Sequence, residues 1–525
     1  MGKPRLPNQK KAYKELSKRL AGYMMRVRNI YDRLNEKAAM LVESVGYDGL
    51  TEFSFDDYPE IEREVKLLLS QFVGELQTLI YSGTSSEWKS SNTFQDAVAD
   101  KALKYYRAQV HGDRFKHYYR DNGDQLKAFL HRKENGLNLS SKLWNQSGNY
   151  KESLEVTIST AIEKGMSATA LSKKLSRYLN DWPSLQADYQ EKYGKATNIH
   201  DCEYRSLRLA RNEISMAYRS AEQARWQQFD FILGYKIKLS DSHPRYDICD
   251  DLTGDYPKDF KFRGWHPNCL CYTVPIVMSE DEYWSDNREN SPNKITAPPK
   301  NFGEWVDKSE NLERIGKANG KGTLPYWLRD NAKIKDCSVL LSKARTYGEA
   351  IQEQAETIAR KYNGTVTPIN YKSFSSMYRK LNSEKDMLVS DIKDSVRNTI
   401  VVEKENIKSV VKELQSLPTF DRYKLQTPEK FCGYSGNIIN LKMPNGIQAE
   451  IQVNTPKMIY AKETEANARK ILGDKVWEQI AKETGMQGGL GHKYYDEIRI
   501  LDEVKDRAKI AELTKLSKSY YAHFR

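Results

Sequence analysis

The segment IINLKMPNGIQAEIQVNT, residues 438–455, decides how the C-terminal third of this chain is read. Ile438 to Met443 and Ile447 to Val453 are strand-like runs. Asn445-Gly446 lies between them and is a strong hairpin signal, because both residues tolerate the positive φ of a tight turn. In the second run Glu450 alternates with Ile451, which sends the carboxylate to one sheet face and the apolar residues to the other. Thr399 to Val402 is a third strand-like run. Helical patterns surround 345–361 and 404–416, and a charged amphipathic helix is expected over 502–520. Residues 340–525 therefore read as an α/β domain.

Upstream of it, residues 279–339 hold Ser291-Pro292, Ala297-Pro298-Pro299 and the stretch Gly316 to Gly322, with little apolar periodicity. They read as a connector and the clearest domain boundary. Before the connector, Tyr235, Ile237 and Leu239 alternate like a short strand and lead into a turn-rich segment bearing Cys and His. Residues 1–150, and most of the chain up to about 230, read as helical. Apolar residues recur at spacings of three and four in three runs: Leu16, Leu20, Met24, Val27, Ile30; Leu67, Leu68, Phe72, Leu76, Leu79; and Leu207, Ala210, Ile214, Ala217, Ala221. Asn122-Gly123, Asn135-Gly136 and Asp181-Trp182-Pro183 mark breaks. The expected fold class is multidomain α+β: a mostly helical N-terminal half with a small Cys/His-rich β module, then the α/β domain.

The 525 residues suffice for two to four domains. With 39% hydrophobic and 29% charged residues the chain is wet, yet it has enough apolar material for real cores, which argues against global disorder. A net charge of +12 favours polyanionic partners. No window of about 18 apolar residues exists, so no transmembrane helix and no membrane partner are expected. The basic, polar start Met1 to Lys11 lacks the apolar stretch of a secretory signal. Six cysteines do not make a disulfide scaffold, and synthesis in a reducing cytoplasm is expected.

Three of those cysteines and two of the eight histidines fall within about thirty residues: His243, Cys249, His266, Cys269 and Cys271, together with Asp241. Thiolate and imidazole are the ligands Zn²⁺ prefers. Cys249, His266, Cys269 and Cys271 could close a tetrahedral structural zinc site, with His243 or Asp241 in reserve; the alternative is a compact loop of buried, reduced cysteines. Around this cluster, Arg211-Asn212-Glu213, Asp241-Ser242-His243-Pro244-Arg245, Cys249, Gly254 and His266-Pro267-Asn268-Cys269-Leu270-Cys271 resemble the phage Mu-type (MuF) minor head protein domain over 151–278. Leu270 stands where that family usually has Arg. The resemblance implies a few copies per virion inside the capsid near the portal, portal and capsid partners, phage DNA as a further partner, and in some members a C-terminal toxin.

The C-terminal domain carries a second constellation. Lys372, Ser373, Ser376, Arg379 and Lys380 form a basic, hydroxyl-rich run, and helical spacing would put Lys372, Ser376 and Lys380 on one face. Asp391 and Asp394 precede a predicted strand, Gly433-Tyr434-Ser435-Gly436 is a flexible turn presenting an aromatic, and Glu450 sits in a strand. Cations for phosphates, carboxylates for Mg²⁺ and an aromatic face for a base are the parts that ATP chemistry needs. Their order and spacing resemble the synthetase domain of the RelA/SpoT family of alarmone enzymes, including its small toxic relatives, over roughly 345–500. Lys372-x₃-Ser376-x₃-Lys380, Asp394, Thr427-Pro428-Glu429-Lys430 with Gly433-Tyr434, and Glu450-Ile451-Gln452-Val453-Asn454-Thr455 carry the resemblance, and Met458 and His492-Lys493-Tyr494-Tyr495 extend it.

The resemblance implies a nucleotidyltransferase-type α/β fold with a mixed sheet. It implies that Lys372, Arg379 and Lys380 hold ATP phosphates, with Ser376 and Arg397 also at the nucleotide. It implies that Asp394 and Glu450 hold Mg²⁺, that Glu450 activates the acceptor 3′-hydroxyl, and that Tyr434 stacks on the acceptor base. The reaction would move the β,γ-pyrophosphate of ATP to that hydroxyl. Asn370, Ile438 and Asn454 replace an Arg, a His and a basic residue of the family, and Arg397 is the nearest candidate for a displaced Arg. Such losses point away from a guanosine nucleotide acceptor, towards an adenosine nucleotide or a tRNA 3′ end. The expected function is a phage minor head protein with a pyrophosphokinase toxin domain, present in the virion and active in the host cytoplasm. The alternatives are a structural head-assembly or DNA-ejection protein whose C-terminal domain is inactive, or a nuclease effector using His492, Glu450 and Asp394.

Overall fold

Asn8 and Asp201 begin long helices for a local reason: their side-chain oxygens accept hydrogen bonds from the amides of Lys11 and Tyr204, which would otherwise have no partner at a helix N-terminus. The computed structural model describes residues 2–108, 112–163, 166–197, 201–318, 324–383, 387–430, 432–499, 501 and 506–525. The chain divides into two compact units, one of Met1–Phe302 with Ile315–Asn331, the other of Gly303–Arg314 with Ala332–Arg525.

The N-terminal unit is built on the helices Gln9–Ser44, Pro59–Tyr105, Leu139–Ala161 and Cys202–Gln228. Their apolar stripes converge, with Val27, Ile30, Phe72, Leu76, Tyr150 and Ala210 in one buried cluster. Most of the periodic residues face inward as the spacing predicts; Leu67 does not and is 58% exposed, because Leu68 occupies the inward position beside it. Gly83 has a packing reason: a Cβ there would meet Ile214 Cδ1 at 2.7 Å, so the absence of a side chain lets two helices approach closely. A three-stranded antiparallel sheet of β1 (Ile232–Lys238), β2 (Gly254–Pro257) and β3 (Tyr272–Val277), in the order β2-β1-β3, follows the last of these helices.

The stretch read as a connector is folded over much of its length. Phe302 and Trp327 are fully buried and pack on Trp265, with ring centroids 6.3 and 5.4 Å away. Asn331 caps the arrangement by accepting from the Lys261 amide at 2.8 Å. A few widely spaced aromatics anchor this segment, a pattern with no period for helix or strand to betray it. Residues 319–322 of its glycine-bearing stretch lie outside the described residues. Among the described residues, no helix is long and apolar enough to cross a membrane.

In the C-terminal unit the hairpin read from residues 438–455 is present as β8 (Gly436–Lys442) and β9 (Gln448–Asn454), with Gly446 at φ +84° in the turn. The sheet also contains β4 (Thr365–Val366), β5 (Asn370–Tyr371), β6 (Val396–Val401) and β7 (Phe420–Gln426), in the order β4-β6-β9-β8-β7 with β5 beside β6. It is mixed: β6 and β9 run parallel and every other pair is antiparallel. One face carries Val396, Ile400, Ile439, Ile451 and Val453, all buried, against the helices Ala332–Lys361 and Ile407–Gln415. The tail folds as the helix Arg507–Ala522; residues 502–505, where the helix was also expected, lie outside the described residues. Ile451 is wholly buried at the centre of this sheet. Ile451→Ala is expected to lower unfolding free energy by about 2–5 kcal/mol, from lost burial and the cavity left behind. Urea denaturation followed by circular dichroism checks this; a loss below 1 kcal/mol (roughly the smallest core truncations) would contradict the packing.

Candidate active site

Register places the polar residues of the second constellation on the opposite face of the sheet. The parallel pairing of β6 and β9 sets Arg397 beside Glu450, and the antiparallel pairing of β8 and β9 sets Asn440 on the other side of Glu450. Gln452, two residues on and therefore on the same face, donates from Nε2 to Glu450 Oε1 at 2.7 Å. Glu450 is 8% exposed. Burial pushes its carboxyl above the usual range, and the nearby charge of Asp394 adds to this. The Gln452 hydrogen bond and the charges of Arg397 and Lys462 oppose the shift without cancelling it.

Asp394 stands just before β6. Lys372 Nζ donates to its Oδ2 at 2.6 Å, in an ion pair whose side chains are both less than a fifth exposed. Burial acts to raise the Asp394 pKa, but the Lys372 hydrogen bond and charge, with the charges of Lys380 and Arg397, outweigh it and hold the carboxyl below its ordinary range. Asp391, the fallback, is engaged elsewhere: its Oδ2 accepts from the Leu388 amide at 2.9 Å.

One sequence expectation is corrected here. Lys372 does not share a helix face with Ser376 and Lys380, because the helix begins at Phe374. Lys372 instead follows β5, with its amide bonded to Ser395 O at 3.0 Å, so sheet pairing rather than helical spacing brings it to Asp394. Ser376 lies in the first turn, where its amide and hydroxyl both meet Ser373 Oγ. Arg379 is exposed and Lys380 half-buried along the same helix.

Tyr434 is less freely presented than a flexible turn would leave it. Its hydroxyl accepts from Asn454 Nδ2 at 2.7 Å, Tyr521 packs edge-on at 5.6 Å, and the Lys462 ammonium lies 5.7 Å from the ring centroid. Gly433 beside it has φ +93°, and a Cβ there would meet Lys518 Cα at 2.6 Å, so the tail helix sits directly on the turn. His492 pairs with Asp496 at 3.6 Å.

Two cavities lie in this unit. One of about 250 Å³ is lined by Asn370, Arg397, Gln452, Lys462 and Lys470. The other, of about 710 Å³, is lined by Lys404, Ser435, Asn437, Asn454, Lys457 and Arg525, and is of a size for a small organic molecule. Sequence reading missed Asn440 and Lys462, and it quoted Gln452 in a motif without giving it a role. For Asn440 a signal existed, as a lone amide interrupting an apolar strand on the Glu450 face.

The donor set suits Mg²⁺. Asp394 Oδ1 is buried and, among the described residues, accepts no hydrogen bond, while Glu450 is a second buried carboxylate whose protonation responds to the Asp394 charge. In the N-terminal unit three of the four proposed zinc ligands come together, and the fourth approaches one of them. The Sγ atoms of Cys249, Cys269 and Cys271 lie within 4.8 Å of one another, and His266 Nε2 is 3.0 Å from Cys249 Sγ. Of the reserve ligands, Asp241 pairs with Lys10 at 2.5 Å and His243 with Asp250 at 3.0 Å.

With this geometry in place, comparison with known proteins gives the class: about a third of the chain is homologous to a (p)ppApp synthetase toxin, a RelA/SpoT-like pyrophosphokinase. That relative is Tas1 of Pseudomonas aeruginosa (strain UCBPP-PA14), 35% identical over 183 residues, which are 34% of this chain and 41% of Tas1. The chain thus spans less than half the length of that relative. The crystal structure of the complex between the Type VI effector Tas1 and its immunity protein matches at 34% identity over 36% of this chain and 97% of that one, with a TM-score of 0.33. No protein-family model matches the chain.

The two carboxylates should respond oppositely to pH in metal-free buffer. Asp394, with its folded pKa lowered, contributes stability that is present above the ordinary aspartate range and lost as pH falls through the folded value. Glu450, with its folded pKa raised, is destabilising once the pH rises above the ordinary glutamate range. Glu450→Gln should therefore raise the thermal midpoint at pH 7.5 and lose that advantage at pH below about 4. Asp394→Asn should lower the midpoint at pH 7.5 and flatten its acid decline. Scanning calorimetry across pH measures both, and equal midpoints at every pH would refute the electrostatic assignment.

Proposed function

We propose that the C-terminal unit is a pyrophosphokinase toxin that moves the β,γ-pyrophosphate of ATP to the 3′-hydroxyl of an adenosine nucleotide. The observation that carries this is the polar sheet face on which Arg397, Glu450 and Gln452 stand beside the Lys372–Asp394 pair. The homology to a (p)ppApp synthetase toxin supports it, and we assign that homology to this unit because the motifs from Lys372 to Thr455 all lie here. The homologue's acceptor class agrees with the missing cations at Asn370 and Asn454.

In this reading Lys372, Arg379 and Lys380 bind the ATP phosphates, with Ser376 at the first turn of their helix. Arg397 neutralises charge beside the transferred group, where fixed cations act strongly because little water competes. Lys372 already neutralises Asp394, so arriving phosphates compete with that carboxylate for the ammonium. Asp394 and Glu450 would hold Mg²⁺, which would supply charge neutralisation to the phosphates. Glu450, whose raised pKa makes it a better proton acceptor than an ordinary carboxylate, takes the proton from the 3′-hydroxyl, and Gln452 fixes its orientation. Tyr434 offers a ring to the acceptor base. As with the effector Tas1, an immunity protein is the expected partner of such a toxin.

Full-length protein incubated with Mg²⁺ and β-labelled ATP is expected to label AMP, ADP or ATP acceptors in preference to guanosine nucleotides and tRNA. Glu450→Gln should cut the rate at least 100-fold, the lower range for loss of a general base. Absence of label transfer by folded, ATP-binding protein would sink the reading in favour of an inactive structural domain, and nucleic-acid degradation without ATP would favour a nuclease.

We further infer that the N-terminal unit is a phage Mu-type minor head module that holds this enzyme inside the capsid near the portal and delivers it to the host cytoplasm. Portal, capsid and phage DNA are its partners in this reading. The support is the head-protein signature, whose Cys and His residues gather at one point after the Cys202–Gln228 helix. Mass spectrometry of purified particles should find the chain at a few copies per virion, and its absence from particles would refute the inference.

A further inference from the structure

The Cys/His cluster of the N-terminal unit plays no part in the proposed reaction, and its geometry is that of a metal site. We propose that Cys249, His266, Cys269 and Cys271 bind one Zn²⁺ that serves as a closed structural staple. Zinc holds sulfur at about 2.3 Å and imidazole nitrogen at about 2.0 Å in a tetrahedron, so two thiolates on one ion lie about 3.8 Å apart and a thiolate and imidazole about 3.5 Å apart. Cys249 Sγ and Cys269 Sγ are 3.7 Å apart, and Cys271 Sγ falls within the same 4.8 Å group. His266 Nε2 is 3.0 Å from Cys249 Sγ but outside the 4.8 Å group of the three sulfurs, so its ring must swing toward Cys269 and Cys271 to take the fourth corner.

The surroundings favour His266 in that role. Its Nδ1 lies 2.7 Å from Pro267 O, which makes Nδ1 the protonated nitrogen and leaves Nε2 between Cys249 Sγ at 3.0 Å and Asp247 Oδ2 at 3.2 Å. His243, the rival, has its Nε2 turned to Asp250 at 3.0 Å and to Asp247 at 3.6 Å. The backbone is braced as well. Arg219, 4% exposed, donates from Nη2 to the carbonyls of Cys269 and Cys271 at 2.8 and 2.9 Å, and the Cys249 amide is held by Asp247 Oδ1 at 2.7 Å.

All three cysteines are buried and none is in a disulfide. Three thiols packed together in a buried space make poor hydrogen bonds to one another, whereas one divalent ion satisfies all of them as thiolates. Four protein ligands leave no open position for water, so the ion is structural and not catalytic. Cys249 lies on the short helix Ile248–Asp251 and Cys271 immediately precedes β3, so the ion pins the long excursion between β1 and β3 onto the Arg219 face of the Cys202–Gln228 helix.

The full chain, purified under reducing conditions, is assayed by elemental mass spectrometry, by Co²⁺ replacement and by thiol labelling. The expected result is one zinc per chain, the visible absorption of a tetrahedral cobalt–thiolate site, and three cysteines, Cys249, Cys269 and Cys271, that become reactive to labelling only when chelator is added, while the buried Cys202 and Cys337 do not change. His266→Gln should weaken zinc binding at least tenfold while His243→Gln leaves it unchanged. If His266→Gln does not fold, the cobalt spectrum and thiol protection of the unmodified chain decide alone. A metal-free chain whose thermal midpoint is the same in chelator and in zinc, with Cys249, Cys269 and Cys271 equally reactive in both, would overturn the site. Loss of zinc in His243→Gln but not in His266→Gln would overturn the ligand set.

Discussion

The parallel pairing of β6 with β9 is the constraint on which the C-terminal unit depends. It joins strands more than forty residues apart in sequence and fixes, at a single register, which side chains meet on each face. A slip of one residue would turn Glu450 and Gln452 into the helices and bring Ile451 to solvent. The apolar face therefore enforces the polar one: burying Ile400, Ile451 and Val453 is what holds Arg397 beside Glu450. Because that burial involves several wholly enclosed side chains, the register is strongly specified.

The polar face is held at some cost. Glu450 is buried with one good hydrogen bond and a neighbouring carboxylate, and Asp394 keeps one oxygen without a partner among the described residues. Unsatisfied buried charge is destabilising, and it concentrates where chemistry needs a shifted proton affinity. The Lys372–Asp394 pair illustrates the balance: the ammonium compensates the carboxylate in the free protein and is positioned to compensate phosphate in a complex. The N-terminal unit handles buried charge differently, with Arg219 spread across three carbonyls that shape the cysteine loop.

Much of this was legible in residue order. The stripes that begin at Leu16 and at Leu67 (Leu67 itself apart) and the hairpin at Asn445-Gly446 follow from period and turn chemistry, and the resemblance to the synthetase domain singles out Asp394, Tyr434 and Glu450 as candidates. Other features had no local signal. The aromatic anchors Phe302 and Trp327 sit in a stretch without period, so it read as a connector. Lys372 lies two residues before the helix its spacing suggested, since the first helical residue is set by the preceding strand and not by the i, i+4 pattern. The covering of Tyr434 by Tyr521 joins residues nearly ninety apart.

By itself the sequence determined the long N-terminal helices, the hairpin at Asn445-Gly446 and the ligand-forming residues of the cysteine cluster, because periodicity, turn residues and ligand-forming side chains are local properties. Only the tertiary structure decided which strands are neighbours, that β6 and β9 are parallel, which nitrogen of His266 faces Cys249 and which carboxylate Lys372 meets. Those choices rest on burying apolar faces from distant parts of the chain together, and the partners in that burial are not adjacent in sequence.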